Sequence, residues 1–204
     1  MPSESPLILA SASPRRKELL QQIGVRFEVF STHVPELDER ASRHLSSAEF
    51  TWCNALRKAL AAAQKFPRRV ILAADTTVAL GKQRLGKPAN LTEAAAYLRR
   101  LSGKTHQVYT SVIVLEPGKP LRGLTEISYV RFKKLSAPMI QKYITCVDVF
   151  DKAGAYALQQ KGGMVVADVR GLTSNVIGLP IERLPKLLPK SFLGMHKKLI
   201  INIL

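Results

Sequence analysis

Asp75 lies within the apolar run Val70 to Leu80, VILAADTTVAL. A carboxylate in such a strand is costly unless it pairs with a cation or binds a metal. The ordinary alternative is an aspartate that hydrogen-bonds the next loop. A second group of chemical interest is Leu7 to Leu20, LILASASPRRKELL. There a short apolar strand and four small residues lead to Ser13-Pro14, a good start for a helix, since serine can cap and proline suits the first turn. Arg15, Arg16 and Lys17 follow at the positive end of the helix dipole, where cations are disfavoured unless an anion balances them. Strand, small-residue loop, helix N-terminus and arginines together describe a phosphate site. The competing reading is a capped surface helix with solvated arginines.

Three further residues are less specific by type alone. Glu36 sits in a polar loop, where an exposed glutamate is ordinary. Lys58 lies on an alanine-rich helix, where a lysine stem usually covers apolar surface. Lys87 is flanked by Gly86 and Pro88, which restrict its direction. Gly81 to Lys87 reads G-x-x-x-x-G-K, but Pro88 follows, with neither a hydroxyl for Mg²⁺ nor an amide for phosphate, and no helix opens there. An ATPase loop is therefore excluded. His33, His44, His106 and His196 have no zinc-type spacing, and His106 is expected to serve as a structural hydrogen-bonding residue. Cys53 and Cys146 form no disulfide framework.

The elements that must position these residues follow from periodicity. Leu7 to Leu9 reads as a buried strand, followed by a helix that ends before Gly24. Val25, Phe27 and Val29 alternate with Arg26 and Glu28 as a half-buried strand. Ser31 to Arg43 is irregular. A long helix runs from about Ser46 to Lys65, with Phe50, Ala55, Ala59, Ala62 and Ala63 on its packed face. Val70 to Leu80 is a strand, and Leu91 to Leu101 a helix closed by Gly103. Val108 to Leu115 and Leu121 to Phe132 form a hairpin through Pro117-Gly118. Ala137 to Thr145 is helical, Met164 to Val169 a strand, and Ile181 to Leu188 a last short helix. Pro189 to Leu204 is a basic and apolar tail.

The 204 residues suffice for one compact α/β domain or a two-lobed one, and 46% are hydrophobic against 23% charged, as expected of a globular chain. With neither linker nor repeat, residues 1–204 are treated as a single domain. No apolar run approaches the ~20 residues of a membrane span, and MPSESP lacks the basic and apolar regions of a signal peptide, so a cytoplasmic location is expected. Lys plus Arg number 31 against 15 Asp plus Glu, a net charge of +16. That charge attracts polyanions without choosing among them. A non-catalytic nucleic-acid-binding protein is the competing class, but no aromatic-interleaved RNA motif or helix-turn-helix accompanies the charge, and it leaves Asp75 unexplained.

Taken together, the motifs LASASPRRKELL (9–20), ALRKA (55–59), AADTTV (73–78), LGKP (85–88), LSGKTHQVYT (101–110), DKAGAYALQ (151–159) and NVIGLP (175–180) resemble the Maf-like nucleoside triphosphate pyrophosphatases over about residues 7 to 188. The resemblance implies an α/β fold similar to inosine triphosphate pyrophosphatase. In that fold a long twisted mixed sheet is flanked by helices, with two lobes and an active-site cleft. It also implies a homodimer and a divalent cation, Mg²⁺ or Mn²⁺, but no need for nucleic acid.

By the same resemblance, Asp75 accepts a proton from water and shares the metal with Glu36. Lys58 and Lys87 position phosphate and water, while Ser11, Arg15 and Arg16 contact the nucleotide. Arg15, Thr76 and Gln159 match the branch acting on dTTP and UTP. Departures are Gln160 where the family usually has glycine, Leu172 where a serine is frequent, Pro35 beside Glu36, and the basic tail. A triphosphate brings about four negative charges, which a cationic site and a helix N-terminus can receive. Attack at the α-phosphorus then expels diphosphate without a covalent nucleophile.

Overall fold

The structure is a computed structural model and describes residues 5–193. The part of the basic tail beyond residue 193 lies outside the described residues. The chain divides into two compact units. The first comprises 5–75, 110–126 and 178–193 of the described residues, and the second 76–109 and 127–177.

In the first unit, β1 (Leu7–Leu9) is followed by α1 (Pro14–Gln22), β2 (Phe27–Val29), α2 (Ser47–Lys65) and β3 (Ile71–Leu80), whose residues up to Asp75 belong here. β1 pairs in parallel with both β2 and β3, with Leu9 opposite Val29 on one side and Leu72 on the other. Parallel neighbours require crossovers, and α1 and α2 supply them. Because the first crossover runs from β1 out to β2 and the second runs back from β2 past β1 to β3, the right-handed rule sends α1 and α2 to opposite faces of the sheet.

The face under α2 is a core of Ile8, Ala10, Ala55, Ala59, Ala62, Ile71, Ala73 and Ile113. The alanines keep the α2 backbone close to the strands. Trp52 of α2 adds a second constraint, because a Cβ on Gly123 would stand 2.6 Å from its ring and 2.8 Å from the Val112 carbonyl. Only glycine fits there. Ser46 caps α2, its hydroxyl accepting from the Glu49 amide while the Glu49 carboxylate accepts from the Ser46 amide, at 3.2 and 2.8 Å.

The second unit contains β4 (Gln83–Leu85), α3 (Leu91–Leu101), α4 (Ala137–Cys146), β7 (Val166–Arg170) and α5 (Thr173–Ile177). It also takes its share of β3, β5 (Thr105–Leu115) and β6 (Arg122–Phe132). Its core gathers Leu98, Leu101, Val130, Phe132, Tyr143 and Tyr156 among others. The strands form one seven-stranded sheet in the order β2-β1-β3-β5-β6-β7, with β4 paired antiparallel to β3 and β7 antiparallel to β6. This is a mixed sheet flanked by helices, the α/β class expected.

Five local expectations need correction. The Ser13 hydroxyl makes no capping bond; instead the Ser13 amide donates to Ser11 Oγ at 3.2 Å, closing the loop one turn earlier. Val29 is 50% exposed, since β2 ends the strand order and its last residue has little to pack against. Residues 173–177 form a helical turn that was missed, and Ile181–Lys186 is a 3₁₀ turn rather than an α-helix, with Pro185 inside it. Gly81 to Arg84 reads from the sequence as a turn and Leu85 to Pro88 as an extended piece; instead the strand begins already at Gln83, β4 (Gln83–Leu85) closing a hairpin with β3 whose turn has Gly81 at φ 60°.

Candidate active site

β1 lies between β2 and β3, so the chain leaves it to one side and returns on the other. Open α/β sheets bind ligands beyond the carboxyl ends of strands at such a reversal. Beyond β1 come Ser11 to Arg16, and beyond β2 comes the loop with Glu36. Asp75 stands three residues past Leu72, the register partner of Leu9. The alternation of β3 puts Asp75 on the side of Ala73, which packs in the core under α2. There Lys58, one position before the buried Ala59, reaches down, and its ammonium pairs with Asp75 Oδ1. A lysine that by spacing alone belonged to a solvated stripe is thus an ion-pair partner of the buried carboxylate.

Arg16 is also buried, at 9% exposure. Its Nε donates to the Gly178 carbonyl at 2.9 Å and its Nη1 to Ser11 Oγ at 3.0 Å. Burial lowers its pKa, while the charges of Asp75 and Glu36 act the other way. Burial likewise raises the Asp75 carboxyl above its ordinary value; Lys58 and Arg16 oppose that shift, and Glu36 adds to it. Glu36 is therefore within electrostatic reach of both Asp75 and Arg16, although its own side chain is exposed. Arg15 is half-buried and acts on Arg16 as a like charge. The first unit thus brings together Ser11, Arg15, Arg16, Glu36, Lys58 and Asp75.

Thr76, Lys87 and Gln159 belong to the second unit. Thr76 is half-buried, and Lys87 and Gln159 are exposed. Two of the motifs meet there, because the Gly154 amide donates to the Gly86 carbonyl at 3.0 Å. Gly154 sits at φ 71°, and a Cβ on it would press on Val78 at 3.0 Å. Ala155 is also left-handed, at φ 60°. Tyr156 and Ala157, just before Gln159, are held by His106 Nε2 to Tyr156 Oη at 2.8 Å and by the Ala157 amide to Tyr143 Oη at 3.0 Å.

Asp75 and Glu36 are hard oxygen donors, the kind Mg²⁺ and Mn²⁺ prefer. Among the described residues, no group of three or more His, Cys, Asp or Glu gathers to hold a metal. One or two carboxylates, with waters and substrate phosphates in the remaining positions, is the usual way Mg²⁺ is bound at phosphoryl sites, so the donor set fits a divalent cation both before and after a triphosphate binds.

The Maf-like protein family model matches residues 6–191. The chain belongs to this family. Curated relatives agree over nearly the whole length. A protein from Myxococcus xanthus, named dTTP/UTP pyrophosphatase, is 44% identical over 93% of this chain and 94% of its own. Relatives of the same name from Symbiobacterium thermophilum and Akkermansia muciniphila are 44% and 42% identical, covering 89% and 90% of this chain and 92% and 95% of theirs.

Three features of this Maf-like site escaped the sequence reading. The Gly178 carbonyl, 162 residues from Arg16, is one. Asn54 and Arg57 on α2 are the others: the Leu37 amide donates to Asn54 Oδ1 at 2.9 Å, and Arg57 Nη1 donates to the Pro35 carbonyl at 3.0 Å. Asn54 did leave a signal. With Thr51, whose hydroxyl bonds the Ser47 carbonyl of the same helix, it is a polar residue on the face of α2 that carries Phe50, Ala55, Ala59 and Ala62.

Proposed function

We propose that this Maf-like protein hydrolyses dTTP and UTP, and pyrimidine triphosphates modified on the base, to the nucleoside monophosphate and diphosphate. The observation that carries the reading is the buried Asp75 carboxylate with Lys58 bonded to it and Arg16 and Glu36 in electrostatic reach. The names of the relatives point to the same reaction and supply the substrate class.

In this reading Asp75 accepts the proton of the attacking water. A general base works best with a pKa near the working pH, and burial moves Asp75 upward from the ordinary carboxylate range. Lys58 keeps the carboxylate ionised in its dry setting and fixes its direction. Arg16, held by Gly178 and Ser11, offers a preset cationic charge to the phosphates, and Lys87 adds a second from its Gly-Lys-Pro segment. The α1 N-terminus, with Arg15, faces the nucleotide, while Thr76 and Gln159 contact the base. Glu36 and Asp75 would hold a divalent cation, Mg²⁺ or Mn²⁺, which would polarise a phosphoryl oxygen. A cytoplasmic homodimer completes the reading, on the family resemblance alone.

The nucleic-acid-binding alternative rests on net charge only, and such binding would not depend on Asp75. A panel of triphosphates assayed for diphosphate release in ¹⁸O water separates the two. Label in the monophosphate and diphosphate as the co-product are expected. Orthophosphate released without a diphosphatase, or label in the diphosphate, would place the attack at another phosphorus. No divalent-metal-dependent release from any triphosphate would defeat the reading.

A further inference from the structure

Glu36 is the outlier of the site. Asp75 is built into a strand and Arg16 is bonded at two atoms, but Glu36 rides on an irregular loop, with its side chain exposed. A metal ligand on such a loop needs its backbone held, because a shift of about 1 Å is enough to spoil a site. The two peptide groups that flank Glu36 are both held by one turn of α2. On its N-terminal side the Pro35 carbonyl accepts from Arg57, and on its C-terminal side the Leu37 amide donates to Asn54. Asn54 and Arg57 are three residues apart on the helix, hence neighbours on its surface. The next residue, Lys58, grips Asp75. One helical turn therefore holds the backbone on either side of one carboxylate and the side chain of the other.

We infer that Asn54 and Arg57 are positioning residues that set Glu36 against Asp75 for cation binding, acting through the Pro35 and Leu37 peptide groups. The inference rests on the reading of Glu36 and Asp75 as metal ligands. Asn54 carries a mark of this role. Its Oδ1 is committed to the Leu37 amide, which fixes the orientation of the carboxamide. Its Nδ2 is buried with no partner among the described residues. At 1% exposure on an apolar helix face, an unsatisfied amide is unfavourable for folding, and a leucine of similar size would carry no such penalty. What the leucine could not do is accept from Leu37.

The test uses Mn²⁺ alone as probe, with free and bound metal counted by electron paramagnetic resonance on the full chain without nucleotide. Asn54→Leu is expected to weaken Mn²⁺ binding about tenfold with little change in melting temperature, because loss of the orphan Nδ2 offsets loss of the acceptor for the Leu37 amide. Asn54→Asp, which keeps an acceptor of the same shape, should restore most of the affinity. In a Glu36→Gln background Asn54→Leu should cause no further loss, since the residue it positions no longer binds the metal. Arg57→Gln is the second variant, at a half-buried position, expected to weaken Mn²⁺ severalfold and to be silent in the Glu36→Gln background as well. Unchanged Mn²⁺ affinity in both single variants would overturn the inference. So would losses that persist undiminished without the Glu36 carboxylate, the mark of general loosening. Diphosphate release by the wild type is measured in parallel: its absence would count against the proposed reaction and leave the Mn²⁺ comparison to stand by itself.

Discussion

Two groups of buried polar side chains, one in each unit, are of opposite kinds. In the first unit the group is charged and opposed to its surroundings: burial raises the Asp75 carboxyl and lowers the Arg16 guanidinium, while Lys58 and Arg16 act against the shift of Asp75, and Asp75 and Glu36 against that of Arg16. In the second unit a neutral group, His106, Tyr156 and Asn175, is bonded within its core, although Lys152 is buried there too, paired with Asp151, and His106 Nδ1 has no partner among the described residues. His106, fully buried, bonds Tyr156 and meets Phe132 and Tyr156 edge-on, with ring centres 5.0 and 5.3 Å away. Asn175 donates from Nδ2 to the Val108 carbonyl and to Ser128 Oγ, both at 3.0 Å. Burying charge is the costlier arrangement, and structure alone gains little from it. The contrast is between a buried charged group and a buried neutral one that holds loop residues in place.

The first way to break the contrast is Asp75→Asn. It keeps the shape and removes the base and one anionic donor, so kcat/KM should fall by about 10²–10⁴ or more while the circular dichroism spectrum is unchanged. Activity within about threefold of wild type would remove Asp75 from the mechanism.

The next effect belongs to the second unit and to stability. Burial pushes His106 down to about 4 from its ordinary 6.5. Between those values the unfolded chain binds a proton that the folded chain refuses. Stability is therefore complete above the unfolded value and declines as pH falls from 6.5 towards 4, by about 3 kcal/mol for this one group. Urea titrations across that window should show the decline, and His106→Phe should flatten it. An identical slope in the variant would show that other groups cause it.

A smaller effect sharpens the chemistry of the first unit. If Arg15 donates to the 4-carbonyl of uracil or thymine, UTP should exceed CTP in kcat/KM by about 10–100-fold, because a guanidinium cannot accept from an amino group. Arg15→Ala should compress that ratio. Equal use of UTP and CTP by the wild type would sink the substrate assignment. An unchanged ratio in Arg15→Ala would instead remove Arg15 from the explanation. The smallest effect is Tyr156→Phe, which removes one buried hydrogen bond. It should cost about 1–2 kcal/mol in denaturant titration and leave kcat as it was. A large fall in kcat at unchanged stability would make the second-unit cluster part of the chemistry.

Much of this was legible in the chain. Strand β1, the Pro14 helix start, the α2 and α3 spans and Asp75 as an anomaly all follow from local rules: period two, period 3.6, turn residues and the cost of a carboxylate among apolar neighbours. The limits of β2 and the turn at 173–177 were not legible, because short elements draw their stability from neighbours rather than from their own pattern.

What only the tertiary structure decided are the pairings across long separations. Lys58 looks like any solvated lysine until β3 lies under α2 and the alternation of the strand turns Asp75 towards it. Arg16 looks like a helix-start cation until the Gly178 carbonyl, 162 residues away, meets its Nε. Asn54 and Arg57 could not be tied to Glu36 at all, since their partners are backbone groups of Pro35 and Leu37, which carry no residue signature. Periodicity is a property of neighbours in the chain and can be read there. A hydrogen bond to a distant peptide group depends on how the whole unit packs, and it is determined only when the chain has folded.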